Sequence, residues 1–381
     1  MLWVLQIGKF YPIRGGVEKV MWDLTEGLAA QGVACDMLCC MRKGAAIDEK
    51  DLPLYRMEDG LHTFRFSGGS RVICVPSMGK LAGTMISPAM VRWLRSHQAA
   101  YDIIHIHHPD PMAALALRLS RFKGKVVLHW HSDIVSQRLL LKLYQPLQAW
   151  LIGRAAVIVG TTPVYLEASP WLKGVQEKCR AVPIGIRPVP VAPEREVAIR
   201  KRFENNVLIL SIGRLVPYKG FSCLIDAMRY LPESFHLVIG GGGPLREPLA
   251  KQIETNGLSQ RVFLEGYLPA EDIPAWFRAA QVFVLSSVLK TEAFGIVQIE
   301  AMSCGTPVVS TRIPGSGVAW VNQDGVSGRT VLPENPKALA DAILDIVSQR
   351  KHFSEGASRL FEARYTLRQM VDAMQEIYRQ K

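Results

Sequence analysis

Two segments of this chain place charges and glycines where a phosphate-bearing ligand could be held. In Gly213-Arg214-Leu215-Val216-Pro217-Tyr218-Lys219-Gly220, two cations five residues apart lie between an apolar run and a helical pattern. There an Arg offers a planar fork of donors to a diphosphate, and a Lys offers a point charge. Gly220 permits a tight entry into the helix that follows. The plainer alternative is a pair of solvated cations on a glycine turn. In Lys290-Thr291-Glu292-Ala293-Phe294-Gly295-Ile296-Val297-Gln298-Ile299-Glu300-Ala301-Met302, seven residues separate Glu292 from Glu300. A helix starting near Phe294 would leave the N–H groups of Gly295, Ile296 and Val297 unsatisfied, and donors and dipole together favour a phosphate there. Glu292, on the preceding loop, could accept hydrogen bonds from sugar hydroxyls. Glu300, one and a half turns in, could take both hydroxyls of a ribose. The alternatives are a helix-terminal charge and a surface glutamate.

Two further segments are less specific. Gly15-Gly16-Val17-Glu18 sits at the first strand-to-helix loop, where paired glycines let backbone approach a ligand or simply make a turn. Lys125-Val126-Val127-Leu128-His129-Trp130-His131-Ser132-Asp133 runs from a strand into a polar loop. Alternation sends His129 and His131 to one face and Trp130 to the other. His131 could meet a substrate hydroxyl or be held by Asp133 or backbone. The same alternation splits the metal-like trio His105, His107 and His108, and no carboxylate at ligand spacing completes it, so no metal site is expected. There is no GxxxxGK[ST] loop, HExxH helix, GxSxG elbow or zinc-finger spacing. Gly240-Gly241-Gly242-Gly243-Pro244 resembles a dinucleotide loop only loosely, since it carries a proline and lacks the following acidic residue.

These segments need strands and helices to present them. Leu2–Ile7, Ala34–Cys40, Val72–Val75, Ile103–Ile106, Lys125–His129 and Val157–Gly160 are short β-rich runs. Between them lie helical or loop patterns, such as 17–31 after a loop over 8–16. That alternation argues a parallel sheet covered by helices. The stretch 183–193 holds four prolines in eleven residues and reads as a linker. Beyond it the pattern restarts, with strands at Val207–Ile212, His236–Ile239, Val262–Leu264, Val282–Leu285 and Pro307–Ser310. The expected architecture is α/β, with two doubly wound, Rossmann-like parallel-sheet domains over 1–187 and 188–365, facing across a cleft. The helix at about 366–381 is expected to pack back on the first.

Composition supports real cores. The chain has 381 residues, 49% hydrophobic and 21% charged, which excludes a disordered or collagen-like chain. Seven cysteines without CxxC spacing read as reduced thiols of a cytosolic protein. No run reaches the ~18–20 apolar residues a bilayer span requires, and no basic leader precedes the first strand, so any membrane contact is expected to be peripheral. The net charge is +11. Residues 1–187 carry 23 Lys and Arg against 14 Asp and Glu, whereas 188–381 carry 22 against 20. A basic first half suits an anionic partner as well as a soluble surface.

Taken together, the GGVE loop, the HWHSD segment, GRLVPYKG, the glycine run and EAFGIVQIE resemble the retaining GT-B glycosyltransferases of family 4, in the family's order over nearly the whole chain. Within it, HWHSDIV, Tyr144-Gln145-Pro146-Leu147 and Thr161-Thr162-Pro163-Val164-Tyr165-Leu166 are similar to bacterial GDP-mannose-dependent mannosyltransferases of polysaccharide assembly. One departure is Thr162, where the family often has Ser. The resemblance implies that Arg214 and Lys219 bind the donor diphosphate. Glu292 would hold the donor sugar, and the backbone of Phe294, Gly295, Ile296 and Val297 would meet phosphate and sugar. Glu300 would bind the ribose, His131 would approach the sugar ring, and Gly15 and Gly16 would press on the diphosphate. Gly243 would line the donor site, with Tyr267 and Leu268 at the base. It further implies a metal-independent hexosyltransferase without cofactor, acting on a lipid-linked saccharide at the inner face of the cytoplasmic membrane. GDP-mannose is the expected donor, with a UDP-sugar donor or a catalytically silent GT-B binding protein as alternatives. A nucleic-acid partner is not expected, because charge alone would support one. Residues 80–145, with Arg92, Arg95, Arg118, Arg121, Lys123, Lys125, Arg138 and Lys142, are the expected contact with anionic membrane.

Overall fold

The computed structural model describes residues 2–12, 15–81, 83–134, 138–188 and 190–380. Two compact units divide the chain, one formed by Met1–Ile184 with Leu367–Lys381 and the other by Gly185–Thr366.

In the first unit, β1 (Trp3–Tyr11) leads into α1 (Gly16–Ala30) and β2 (Ala34–Arg42). The antiparallel run β3 (Tyr55–Glu58), β4 (Leu61–Arg65) and β5 (Arg71–Ser77) follows, then the small hairpin β6 (Gly79–Leu81) and β7 (Thr84–Ile86). Next come α2 (Pro88–His97), β8 (Ile103–His108), α3 (Pro111–Ser120), β9 (Lys125–Trp130), α4 (Arg138–Arg154), β10 (Val157–Gly160), α5 (Pro163–Ala168) and β11 (Cys179–Ala181). Nine of these strands form one sheet in the order β11-β10-β9-β8-β1-β2-β5-β4-β3. Pairing is parallel except where β4 joins β3 and β5. The order reverses direction at β1, so a switch point lies between β1 and β8, where open α/β sheets take ligands. The first strand runs four residues past the expected Ile7. Its ladder to β2 slips between Ile7 and Phe10 and resumes to Tyr11, and the Lys9 N–H turns aside to Asp110 Oδ2 at 2.7 Å. A bulge spaced by Gly8 and Lys9 is what read as the start of a loop.

The second unit has α6 (Pro193–Arg202), β12 (Val207–Ile212), α7 (Phe221–Ala227), β13 (Phe235–Gly240), α8 (Arg246–Thr255) and β14 (Val262–Gly266). It continues with α9 (Ile273–Ala279), β15 (Val282–Leu285), α10 (Ile296–Ser303), β16 (Val308–Thr311), α11 (Val318–Val321), β17 (Gly328–Val331), α12 (Pro336–Ser348) and α13 (Arg350–Arg364). Its sheet is parallel throughout, ordered β14-β13-β12-β15-β16-β17, with the switch point between β12 and β15. The last helix, α14 (Leu367–Arg379), belongs to the first unit, where it packs on α1.

Local sequence sets several of these boundaries. Ser87-Pro88, Asp110-Pro111, Thr162-Pro163 and Asn335-Pro336 each start a helix. The polar side chain accepts from an N–H of the first turn, and proline fills the position that needs no donor. Thr162, the departure from the family's Ser, spends its hydroxyl on this cap, accepting from the Tyr165 N–H at 3.2 Å. The strand cores are aliphatic. In the second unit Ile209, Leu237, Val284 and Val309 of the sheet meet Leu224 and Ile225 of α7 and Ile343 and Ile346 of α12.

Candidate active site

The two loops that bear the strongest chemistry leave neighbouring strands at the switch point of the second unit: 213–220 follows β12 and 286–295 follows β15. Their backbones are tied by the Val288 N–H donating to Tyr218 O at 2.8 Å and by Ser286 Oγ donating to Lys219 O at 3.0 Å. Gly220 makes that approach possible. Its φ is +67°, and a Cβ there would lie 2.1 Å from the carbonyl oxygen of Ser286. Across this junction Lys219 Nζ meets Glu292 Oε2 at 2.5 Å, with each side chain only 12% exposed. Ser287 Oγ donates to the same Oε2 at 3.0 Å, and Ser316 Oγ donates to the Glu292 carbonyl. Neither serine stood out in the sequence, because single serines on glycine-containing loops carry no spacing signal. Glu292 Oε1 has no hydrogen-bond partner among the described residues, so one carboxylate oxygen stays available while the other is held.

Other candidates of the second unit lie on the loops that follow β12, β13 and β14 of the same sheet. Arg214 is exposed. Its loop is braced from behind by the glycine run, with the Leu215 N–H donating to Gly242 O at 2.9 Å and the Gly213 N–H to Gly240 O at 2.9 Å. A Cβ on Gly243, at φ +155°, would stand 2.6 Å from Leu215 O. The run therefore serves backbone-to-backbone packing, in keeping with the absence of a dinucleotide fingerprint. Leu268 is buried against Gly240, while the neighbouring Tyr267 is 82% exposed.

The helix α10 begins at Ile296, two residues later than Phe294. Gly295 adopts a left-handed φ of +75° just before it, and Phe294 is buried edge-on against Tyr365 with centroids 6.1 Å apart. Gln298 closes this start, its N–H donating to Gly295 O and its side-chain amide to Phe294 O, each at 2.9 Å. No acceptor is found among the described residues for the N–H groups of Gly295, Ile296 and Val297. Glu300 is half-buried, one turn into the helix.

Gly15, Gly16 and His131 lie in the first unit. Gly15 precedes α1 and Gly16 opens it. His131 follows β9, 6% exposed, on the sheet face that also carries His105, His107 and His129. The rings stack, with His129–His131 centroids 4.0 Å apart and planes 6° apart, and His107–His131 at 5.1 Å. His108 faces the other way, stacked on Trp130 at 3.8 Å. Asp133, the other candidate partner of His131, accepts instead from Trp130 Nε1 and Ser169 Oγ. Burial holds His131 and His107 well below the ordinary histidine range and pushes His129 down to about 3. All three rings are therefore neutral at physiological pH. His105, His107 and His129 hold nitrogens within 4.8 Å of one another. Both nitrogens of His107 are already engaged, however, with His131 Nε2 and Gln6 Oε1, each at 2.8 Å. Gln6 escaped notice in the sequence, and so did its contact with His107, because 101 residues separate the two and Gln6 sits inside an apolar strand.

Comparison with known proteins accounts for both units. The Glycosyltransferase Family 4 profile matches residues 14–189 and the Glycosyl transferases group 1 profile matches residues 194–360. The O-antigen chain mannosyltransferase C of Escherichia coli is 31% identical over 98% of this chain and 97% of its own length. The D-rhamnosyltransferase WbpZ of Pseudomonas aeruginosa is 30% identical over 92% of this chain and 87% of its own. Among solved structures, Anabaena Alr3699/HepE in complex with UDP superposes with a TM-score of 0.76 over 99% of both chains at 21% identity, which shows a shared fold. With both halves matched in order, and a full-length relative above 30% identity, the chain belongs to the family 4 glycosyltransferases of the GT-B fold.

Proposed function

We propose that this glycosyltransferase moves mannose from GDP-mannose, with retention, to a lipid-linked saccharide in the assembly of a surface polysaccharide at the inner face of the cytoplasmic membrane. In this reading 188–365 binds the donor and 1–187, with the last helix, binds the acceptor. The observation that carries it is the Lys219–Glu292 pair, seated on adjacent loops at the switch point and next to the free N–H groups of α10.

The chemistry of transfer explains why such a pair is useful. A glycosyl transition state resembles an oxocarbenium ion leaving a diphosphate, so stabilising the departing negative charge matters more than a strong base. Arg214, Lys219 and the start of α10 supply positive potential to that diphosphate. Lys219 is kept beside the site by Glu292 until a phosphate competes for it. Glu292 Oε1, left open while Ser287 holds Oε2, accepts from a hydroxyl of the donor sugar, and Glu300 accepts from the ribose. His131, neutral and nearly buried, meets the sugar ring. Charge that a divalent ion would otherwise provide comes here from side chains and backbone, so turnover is expected to persist in a chelator.

The mannosyl assignment is supported by the name of the Escherichia coli relative and by the segments around His131 and Tyr144. The UDP-bound state of HepE favours the alternative of a UDP-sugar. Calorimetric titration with GDP, UDP and ADP separates them: tightest binding of GDP is expected, and a preference for UDP overturns the mannose assignment while leaving the glycosyltransferase intact.

A further inference from the structure

The buried polar layer of the first unit contains a chain of hydrogen bonds whose direction can be deduced from one end. Gln6, on β1, points its Nε2 at Met21 O (3.3 Å) and at Thr25 Oγ1 (2.6 Å). Thr25 Oγ1 spends its own proton on Met21 O at 2.9 Å, so it can only accept from Gln6. A carbonyl oxygen also only accepts, which fixes the amide with its NH2 toward α1 and its Oε1 toward His107. The Gln6 Oε1 to His107 Nε2 distance is 2.8 Å, so His107 carries its proton on Nε2. His107 is fully buried, and burial with its neighbouring rings keeps it neutral. Its Nδ1 is therefore bare and accepts. The atom 2.8 Å away is His131 Nε2, which must then be the donor. A neutral His131 protonated on Nε2 has a bare Nδ1, and no partner for that Nδ1 is found among the described residues.

We propose that Gln6 and His107 are positioning residues that fix the tautomer of His131, keeping its proton on Nε2 and its Nδ1 as a hydrogen-bond acceptor for a hydroxyl of the donor sugar. The proposal rests on the reading that places His131 at the sugar. It explains why a glutamine and a histidine occupy apolar strands. Without them His131 would be free to carry its proton on either nitrogen, and the wrong tautomer would present a donor where an acceptor is wanted.

The test is a nitrogen-15 histidine spectrum of the full chain, in which two-bond couplings distinguish the tautomers and His131→Gln assigns the His131 resonances. Both His131 and His107 are expected as Nε2–H at pH 7.5. Gln6→Met removes both polar ends at similar length. It is expected to shift His131 toward a mixture of tautomers and to lower kcat by about tenfold, the scale for losing a partner that orients a functional imidazole, with nucleotide affinity unchanged. A wild-type His131 protonated on Nδ1, or a Gln6→Met protein with an unaltered His131 tautomer, overturns the proposal. The wild-type spectrum decides this even if the variant folds poorly. Failure of the underlying reading looks different: the tautomers are as expected, but His131→Ala turns over donor at the wild-type rate.

Discussion

At the scale of single residues, the most informative atom is Glu292 Oε2, which receives both Lys219 and Ser287. In the proposed reading, removing Lys219 takes a cation from the departing diphosphate. Lys219→Ala is therefore expected to lower kcat by about a hundredfold or more, the scale seen when one charge-stabilising donor is lost. Glu292→Ala should fall comparably, and normal donor turnover by both variants would show that the site lies elsewhere. Ser287→Ala tests the finer point. It leaves both charges in place but frees the carboxylate, at about 1 kcal/mol for one hydrogen bond, or about fivefold in kcat/KM. Equal kcat/KM for Ser287→Ala and wild type would mean that Lys219 alone orients Glu292. The types and loop positions of Lys219 and Glu292 were legible in the sequence because strand, charged glycine loop and helix follow one another there. Their contact was not, since 73 residues separate them and only the strand order β12-β15 makes their loops neighbours. His107 and His131 were likewise legible only one by one and Gln6 not at all, and only the pairing of β1 with β8 and β8 with β9 brings the three into a line.

At the scale of elements, the parallel strands could be read from their apolar runs. Strands β3 and β4 and the hairpin β6-β7 were missed, because they are half-exposed and β3 and β4 carry charges such as Arg56, Glu58 and Arg65, whereas β5 was read from its apolar run Val72–Val75. Loop junctions were legible only as glycines, and the structure shows what two of them are for. Gly220→Ala would drive a Cβ into the Ser286 carbonyl at a left-handed φ, so it is expected to destabilise the second unit by about 2 kcal/mol or more, measurable by urea denaturation. Strands β8 and β9 make a second, independent prediction. His105, His107, His108, His129 and the adjoining His131 are buried, with His108 and His129 pushed down to about 3 and the others held well below the ordinary range. In the unfolded chain they titrate near 6.5, so below that pH the unfolded state binds more protons and native stability falls. Each histidine can cost up to about 1.4 kcal/mol per pH unit, and five together approach the ~5–15 kcal/mol of a whole domain within about two units. Scanning calorimetry from pH 7.5 to 5 should show the transition of the first unit moving down steeply. A transition insensitive to pH over that range would mean that the rings are protonated in the native state.

At the scale of the whole molecule, the asymmetry of charge acquires a location. No helix among the described residues is long and apolar enough to cross a membrane. The excess of positive charge falls in 1–187, the part assigned here to the acceptor. Arg92, Arg118, Arg121, Lys123 and Lys142 are exposed there, as is Arg95, whose Nε also donates to Leu119 O at 3.0 Å. Lys125, which read as one of this group, is occupied instead: its Nζ donates to carbonyls at the end of α14, Ile377 O at 2.7 Å among them. The Arg138 side chain lies outside the described residues. Apolar side chains stand beside the cations, with Leu143 76% exposed next to Lys142, and Met78 and Leu81 81% and 62% exposed around the β6-β7 hairpin. Cations with protruding apolar groups suit an anionic bilayer bearing a diphosphate-lipid acceptor, at about 1 kcal/mol for each well-placed Lys or Arg. Sedimentation with vesicles containing anionic lipid should therefore show binding at low salt that is lost by about 0.5 M, where the screening length has shrunk to a few ångströms. Arg121→Glu with Lys123→Glu should weaken it by tenfold or more, because reversal replaces two attractions by two repulsions. Leu143→Ser should weaken binding by a similar factor at every salt concentration at which binding is still measurable, since burial of an apolar side chain is not screened. Vesicle binding indifferent to salt and to the double reversal would place the basic charge elsewhere in the protein's work and leave the apolar groups to account for any membrane contact.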